Sequence, residues 1–460
     1  MVIYSSEFVA FVCCLFAVYW CCRSARAQNL ILALSSFAYY AIWNWRMSVL
    51  LLGTAIWTYL CGMALGRRPS RPLLFLSIFP PLLSLGVFKY YDFFIDSINR
   101  ALGSDFGLLH LILPLGISFY TFIAIGYLCD VHSRKVEAEK DISRFACFLF
   151  FFPQIASGPI GRASEMLPQY AVPRRFDCAL AVEGCRQLLW GAFKKYVVAD
   201  NCAVIASSLL EGDGLDGAMV FVGMMMFTIQ IYGDFSGYTD MAIGLGKLFG
   251  IRLKTNFRCP YFSVNISDFW RRWHISLTTW LRDHVYIPLG GNRCSSIRRI
   301  LNVMVVFLVS GLWHGAAWTF VLWGGVHGAF VSLSSLVSRR TQRQGNMAIQ
   351  LGGWILTIGF VSVAWLIFRA ENMSVLSNQL SLMFSSWGCH VWPTLSANAV
   401  QTLWLAIPLM FVTEWFNRSE EYSLKRLFKL LPLRWFFYLV LVFLVVFCNG
   451  GSQAFIYARF

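Results

Sequence analysis

The sequence predicts an all-α, polytopic membrane protein with roughly ten to twelve transmembrane or re-entrant helices. Three observations point there. Of 460 residues, 58% are hydrophobic and only 13% charged, against about a quarter charged in soluble chains. Mean hydropathy is +0.60. Aromatic residues reach 17%, with 18 Trp and 41 Phe, as lipid-facing and interfacial surfaces favour.

A bilayer-spanning helix takes about 20 mostly apolar residues. The stretches that suit are 8–22, 28–45, 47–65, 73–91, 110–128, 145–161, 185–209, 217–235, 300–336 (read as two), 350–368, 399–416 and 435–450. The first run has no basic segment before it and no small-residue cleavage site after it, so it reads as a retained span. Arg23 and Arg26, then Arg67, Arg68 and Arg71, then Arg134, Lys135 and Lys140 follow odd-numbered spans. Those loops are expected to face the cytoplasm, with the N-terminus outside. The net charge of +15 is therefore loop charge, not a nucleic-acid footprint, because it forms no single basic stripe. The 14 cysteines include no C-x-x-C and mostly sit in apolar runs as small hydrophobes. We expect one integral-membrane domain over 1–460, with N-terminal helices to 110, a core over 111–336 and C-terminal helices from 337.

Two segments break the hydrophobic pattern. Pro114 and Gly116 open the 110–130 segment, and Pro153, Gly158 and Pro159 interrupt 150–162. Irregular backbone at membrane depth must be buried in protein or line a wet cavity, so both a kinked packing helix and a cavity wall remain open. In 232–251, Asp234 and Asp240 sit among small residues. Carboxylates there mark either a function or a structural ion pair, with Arg252 and Lys254 as nearby partners.

The chemistry concentrates in 264–328. Ile266, Phe269, Trp270, Trp273, Leu277 and Leu281 recur at helical spacing, and Ser267, Arg271, His274, Thr278 and Arg282 make a second face. That pattern predicts one amphipathic helix near the cytoplasmic headgroups. His314 lies between Gly311 and Gly315, and His327 between Gly324 and Gly328. Small residues four apart let helix backbones approach, and an ionisable ring in such a span is a functional candidate. A buried neutral histidine bonded to a carbonyl is the plainer alternative. Histidine can take a proton from an alcohol near neutral pH. There is no H-E-x-x-H, no Cys/His cluster and no G-x-S-x-G, so the residues point to no metal and no serine acyl-enzyme. Direct transfer from a thioester is the simpler chemistry.

The stretches 113–131, 151–162, 232–251, 268–293 and 312–328, and above all WRRWHIS and LWHG, resemble the membrane-bound O-acyltransferases. The likeness is to the branch of the alginate and peptidoglycan O-acetylases. It covers about half the chain in family order, while the first hundred residues agree only in hydropathy. The resemblance implies helices around a central tunnel that meets the cytoplasm of a bacterial inner membrane. It places the catalytic histidine at His314 and the second polar position at His274. It implies acetyl-CoA as donor, and O-acetylation of an extracytoplasmic polysaccharide. Alginate-type exopolysaccharide is favoured and peptidoglycan is the alternative acceptor; an esterase-like envelope-side partner selects the acceptor. Arg271, Arg282 and Trp273 are expected at the donor, from the helix they share, with Asp234, Asp240 and His327 in support. The end of the sequence, AFIYARF, resembles a family ending whose tyrosine carries the acyl group. Tyr457 is therefore a relay candidate, although Ala458 and Arg459 depart from that ending and a plain anchoring tail competes. A non-enzymatic transporter is the rival reading, motivated by the broken helices and buried carboxylates.

Overall fold

The computed structural model describes residues 6–155, 157–212, 214–337, 347–388, 394–425, 430–451, 453 and 456. Among them every regular element is a helix and no strand occurs. Among the described residues, six helices are long and apolar enough to cross a bilayer: Trp45–Arg67, Arg71–Leu102, Gly217–Leu248, Ser296–His314, Met347–Arg369 and Ala397–Phe416. Ser6–Cys21, Ile117–His132 and Leu431–Phe447 are shorter apolar helices. The chain is a multi-pass helical membrane protein.

The helices group into two compact units. In the first, Met1–Cys185 with Ala242–Lys254, helix starts are encoded locally. Ser24, Asn44 and Ser70 accept from the backbone N–H groups of Ala27, Arg46 and Leu73, which satisfies donors a helix start would otherwise orphan. The 110–128 segment becomes helical only at Ile117, because Gly116 is left-handed (φ 70°). The expected span 145–161 is instead a helix, Ile142–Phe150, and a separate turn, Phe152–Ile155. The Phe152 N–H donates to Ser36 Oγ (3.2 Å) and Gln154 Nε2 to the Pro159 carbonyl (3.1 Å). The broken backbone is thus held by protein groups, as membrane depth demands.

The second unit, Arg186–Met241 with Thr255–Phe460, carries the histidines. From Arg186 the helix passes through a π-helical turn, Phe193–Ala199, into Asp200–Leu210. The span expected at 217–235 continues as one helix to Leu248. Its Gly237 is required: a Cβ there would lie 2.7 Å from the Gly191 carbonyl and 2.9 Å from the Lys195 nitrogen. The 300–336 stretch is indeed two helices, Ser296–His314 and Trp318–Val337. Added Cβ atoms at Gly311 and Gly324 would run into the carbonyls of Phe320 and Phe307. These glycines let the two backbones touch, as the four-residue spacing of Gly311 and Gly315 and of Gly324 and Gly328 predicts.

Candidate active site

The single amphipathic helix expected across His274 is in fact two short ones, Ile266–Arg272 and Ile275–Leu281. Between them His274 is left-handed (φ 44°, ψ 53°), a conformation that is strained for a residue with a side chain. Asn256 holds the turn. Its carbonyl accepts from the Ile275 N–H (3.0 Å) and its Oδ1 from the Ser276 N–H (3.1 Å), while the Arg258 N–H donates to the Arg272 carbonyl (3.0 Å). The break turns His274 inward, to 1% exposure. Arg271 and Arg282 stay outside, with side chains 73% and 58% exposed, beside Asp268 (3.8 Å) and Asp283 (2.8 Å).

The His274 Nδ1 accepts the Leu277 N–H (3.3 Å). A neutral imidazole that accepts at Nδ1 carries its proton on Nε2, so this ring offers an N–H donor. His274 lies outside the apolar spans, and burial pushes its pKa down to about 3, keeping it neutral.

His314 ends its helix at 3% exposure. Its ring centroid is 6.3 Å from that of His274, so the two rings expected to cooperate are close neighbours. Trp313, Trp323 and Phe368 pack on His314 at 5.0, 5.1 and 5.4 Å, and Phe235 packs on His274 at 4.7 Å. Trp273, 1% exposed, packs at a tilt against Trp365 at 4.8 Å in the same aromatic shell. His327 is fully buried and contacts Trp323 (4.8 Å) and Trp270 (5.0 Å). Trp323 therefore touches both His314 and His327. Tyr457 lies outside the described residues.

Asp234 and Asp240 are in ion pairs, but not with Arg252 or Lys254; Lys254 instead meets Glu165 at 2.8 Å. Consecutive lysines of the π-helical turn take them. Lys194 Nζ lies 2.6 Å from Asp240 and 3.8 Å from Glu414, and donates to Ser236 Oγ (3.0 Å). Lys195 Nζ lies 2.7 Å from both Asp234 and Asp200. The Tyr232 hydroxyl donates to Glu414 (2.8 Å), and Gln187 Nε2 to Asp240 (2.8 Å). Sequence reading missed Lys194, Lys195 and Glu414. The usable signal was charge inside the apolar runs 185–209 and 399–416.

Lys194, Tyr232, Asp240, Arg258 and Glu414 line a small cleft that Phe257 also walls. Phe257 packs on Phe235 (5.0 Å), which packs on His274. Phe257 and then Phe235 thus lie between this polar cleft and His274.

Chemically, a buried N–H donor beside a second imidazole can hold an acyl carbonyl and take a proton from an attacking hydroxyl. The profile of the membrane-bound O-acyltransferase family matches residues 135–377. "Probable alginate O-acetylase AlgI" of Pseudomonas syringae pv. tomato is 38% identical over 78% of this chain and 70% of its own length. "Peptidoglycan O-acetyltransferase" of Helicobacter pylori is 36% identical over 79% of this chain and 75% of its own. "Teichoic acid D-alanyltransferase" of Streptococcus thermophilus is 26% identical over 82% and 90%. The chain is an O-acyltransferase that belongs to the membrane-bound O-acyltransferase family.

Proposed function

We propose that this protein takes acetyl from cytoplasmic acetyl-CoA and passes it across a bacterial inner membrane for O-acetylation of an extracytoplasmic polysaccharide. The observation that carries the reading is the pair of buried rings 6.3 Å apart with the His274 Nδ1 already engaged. One atom hydrogen-bonded to two nitrogens sets them at most about 6 Å apart, so a single reacting group can contact both rings. His274 Nε2–H polarises the thioester carbonyl. His314 takes the proton from the attacking hydroxyl as the C–O bond forms, and returns it to the coenzyme thiolate as the C–S bond breaks. Alcohol and thioester become ester and thiol, with no net proton.

Arg271 and Arg282, exposed beside the His274 turn, meet the donor phosphates, and Trp273 backs the chamber. His327 supports His314 through Trp323. Tyr457 is the first acceptor: its phenol oxygen takes the acetyl group and hands it to the glycan. The favoured acceptor is an alginate-type exopolysaccharide, because the more similar relatives bear alginate names. Peptidoglycan is the second reading, supported by the Helicobacter relative. An envelope-side protein that binds the polymer would make that choice.

Purified protein in detergent, supplied with acetyl-CoA and hydroxylamine as a small nucleophile, tests the reading. Protein-dependent release of coenzyme thiol is expected. A transporter would leave acetyl-CoA intact, and that result would remove the enzymatic assignment of the donor.

A further inference from the structure

The left-handed backbone at His274 is strained, and it is held from outside its own two helices. Segment 255–258 bonds to both sides of the turn. The Arg258 N–H donates to the Arg272 carbonyl (3.0 Å) before it, and the Ile275 N–H donates to the Asn256 carbonyl (3.0 Å) after it. Thr255 folds back over Asn256: its Oγ1 donates to the Phe257 carbonyl (3.0 Å) and accepts the Phe257 N–H (3.4 Å). The Phe257 ring packs on Trp273 and on Phe235, at 5.0 Å each. Asn256 is thereby fixed in place at 0% exposure.

The side chain of Asn256 adds what the backbone cannot. A helix opens with N–H groups that have no partner inside it. In Ile275–Leu281 they are shared out. The Asn256 carbonyl takes the Ile275 N–H, Asn256 Oδ1 that of Ser276 (3.1 Å), and His274 Nδ1 that of Leu277 (3.3 Å). A capping side chain accepts from the second or the third residue of its helix. With the Ser276 N–H engaged by Asn256, the third is left to His274, and its ring has one place to bind. Asn256 Nδ2, by contrast, is buried without a partner among the described residues. The carboxamide is therefore held through its oxygen.

We propose that Asn256 is a positioning residue for the acyl transfer: its Oδ1 occupies the Ser276 N–H and so fixes the His274 imidazole on the Leu277 N–H, with Nε2–H presented to the reacting carbonyl. The proposal rests on the reading of His274 as the group that polarises that carbonyl. In this role Asn256 acts through His274 and needs no contact with substrate.

A double-mutant cycle of Asn256→Ala with His274→Gln tests it, in full-length protein, with rates taken per mole of monodisperse protein. On the wild-type background, kcat for hydroxylamine-supported cleavage of acetyl-CoA should fall about 10- to 100-fold, the equivalent of one orphaned backbone N–H. KM for the donor should stay within about twofold, since the lost interaction serves the reacting centre and not binding. On the residual rate of His274→Gln the same change should cost less than about twofold, because the group it orients is gone. Asn256→Asp keeps the acceptor oxygen and should recover most of the rate. Equal losses on both backgrounds overturn the proposal, because a residue that only supports the fold subtracts in either. A loss in Asn256→Asp as deep as in Asn256→Ala also overturns it, and Asn256→Asp decides the matter if Asn256→Ala does not fold.

Wild-type cleavage by His274→Gln would instead remove His274 from the reaction. The imidazole NMR signals of His274, assigned by their loss in His274→Gln, then decide the positioning role. That ring lies 4.7 Å from Phe235 and 5.7 Å from Trp313, so its signals move when it turns. A shift in Asn256→Ala upholds positioning, and unchanged signals overturn it.

Discussion

Two buried polar regions of the second unit solve the same problem in opposite ways. Around His274 and His314 the neighbours are rings: Phe235, Trp313, Trp323 and Phe368. Around Lys194 and Lys195 they are carboxylates: Asp240, Glu414, Asp234 and Asp200. An imidazole can shed its charge and so can live among aromatics. A lysine and its carboxylates keep their interior cheap only as a set. The difference teaches a division of labour. On the proposed mechanism the imidazole pair exchanges a proton with the substrate, whereas the ionic sets are committed to each other. The Gly217–Leu248 helix serves both, with Phe235 on the imidazole and Asp234, Ser236 and Asp240 on the lysines.

Removing a charge from the ionic region should have the larger effect on stability. Lys194→Met leaves Asp240 and Glu414 buried without their cation, at a cost of about 3–5 kcal/mol. The expected outcome is a large loss of folded protein in the membrane, measured by detergent-extractable monodisperse yield. Adding Asp240→Asn and Glu414→Gln should restore most of that yield. Full yield of the single variant would show that the two regions do not differ as described.

A smaller effect belongs to the neutral region and depends on pH. The pKa of His274 in the folded protein is depressed to about 3, so below its ordinary value the unfolded chain binds the proton and the folded chain does not. Stability from this residue is complete above about pH 6.5 and is lost as pH falls towards 3, on the order of 2 kcal/mol by pH 5. Thermal melts between pH 5 and 8 should show that acid-side loss in the wild type and a shallower one in His274→Gln. Identical slopes would mean that His274 is solvated and not enclosed by rings.

The sequence made the helix pairing around His314 and His327 legible. Gly311 and Gly324 signal close helix packing beside His314 and His327, and the Ser296–His314 and Trp318–Val337 helices follow. The break at Trp273 was not legible. The apolar repeat from Ile266 to Leu281 continues through it, and the competing bonds come from Asn256 and Arg258, which local periodicity does not weigh. The ion pairs were half legible. Two carboxylates in an apolar setting demand partners, but nearness in sequence pointed to Arg252 and Lys254. A π-helical turn some forty residues upstream supplies the lysines instead, and such a turn has no hydropathy signature. In the same way Pro114 and Gly116 explain why the Ile117–His132 helix starts where it does, whereas the separate Phe152–Ile155 turn depends on Ser36, far upstream.

The most direct test of the shared chamber is His314→Ala, scored by polysaccharide acetylation in cells alongside the amount of membrane-inserted protein. Loss of the proton acceptor should lower acetylation by at least about 10²-fold while the inserted amount stays near wild type. Acetylation at the wild-type level by that variant would contradict the account, because the buried ring would then be packing and nothing more.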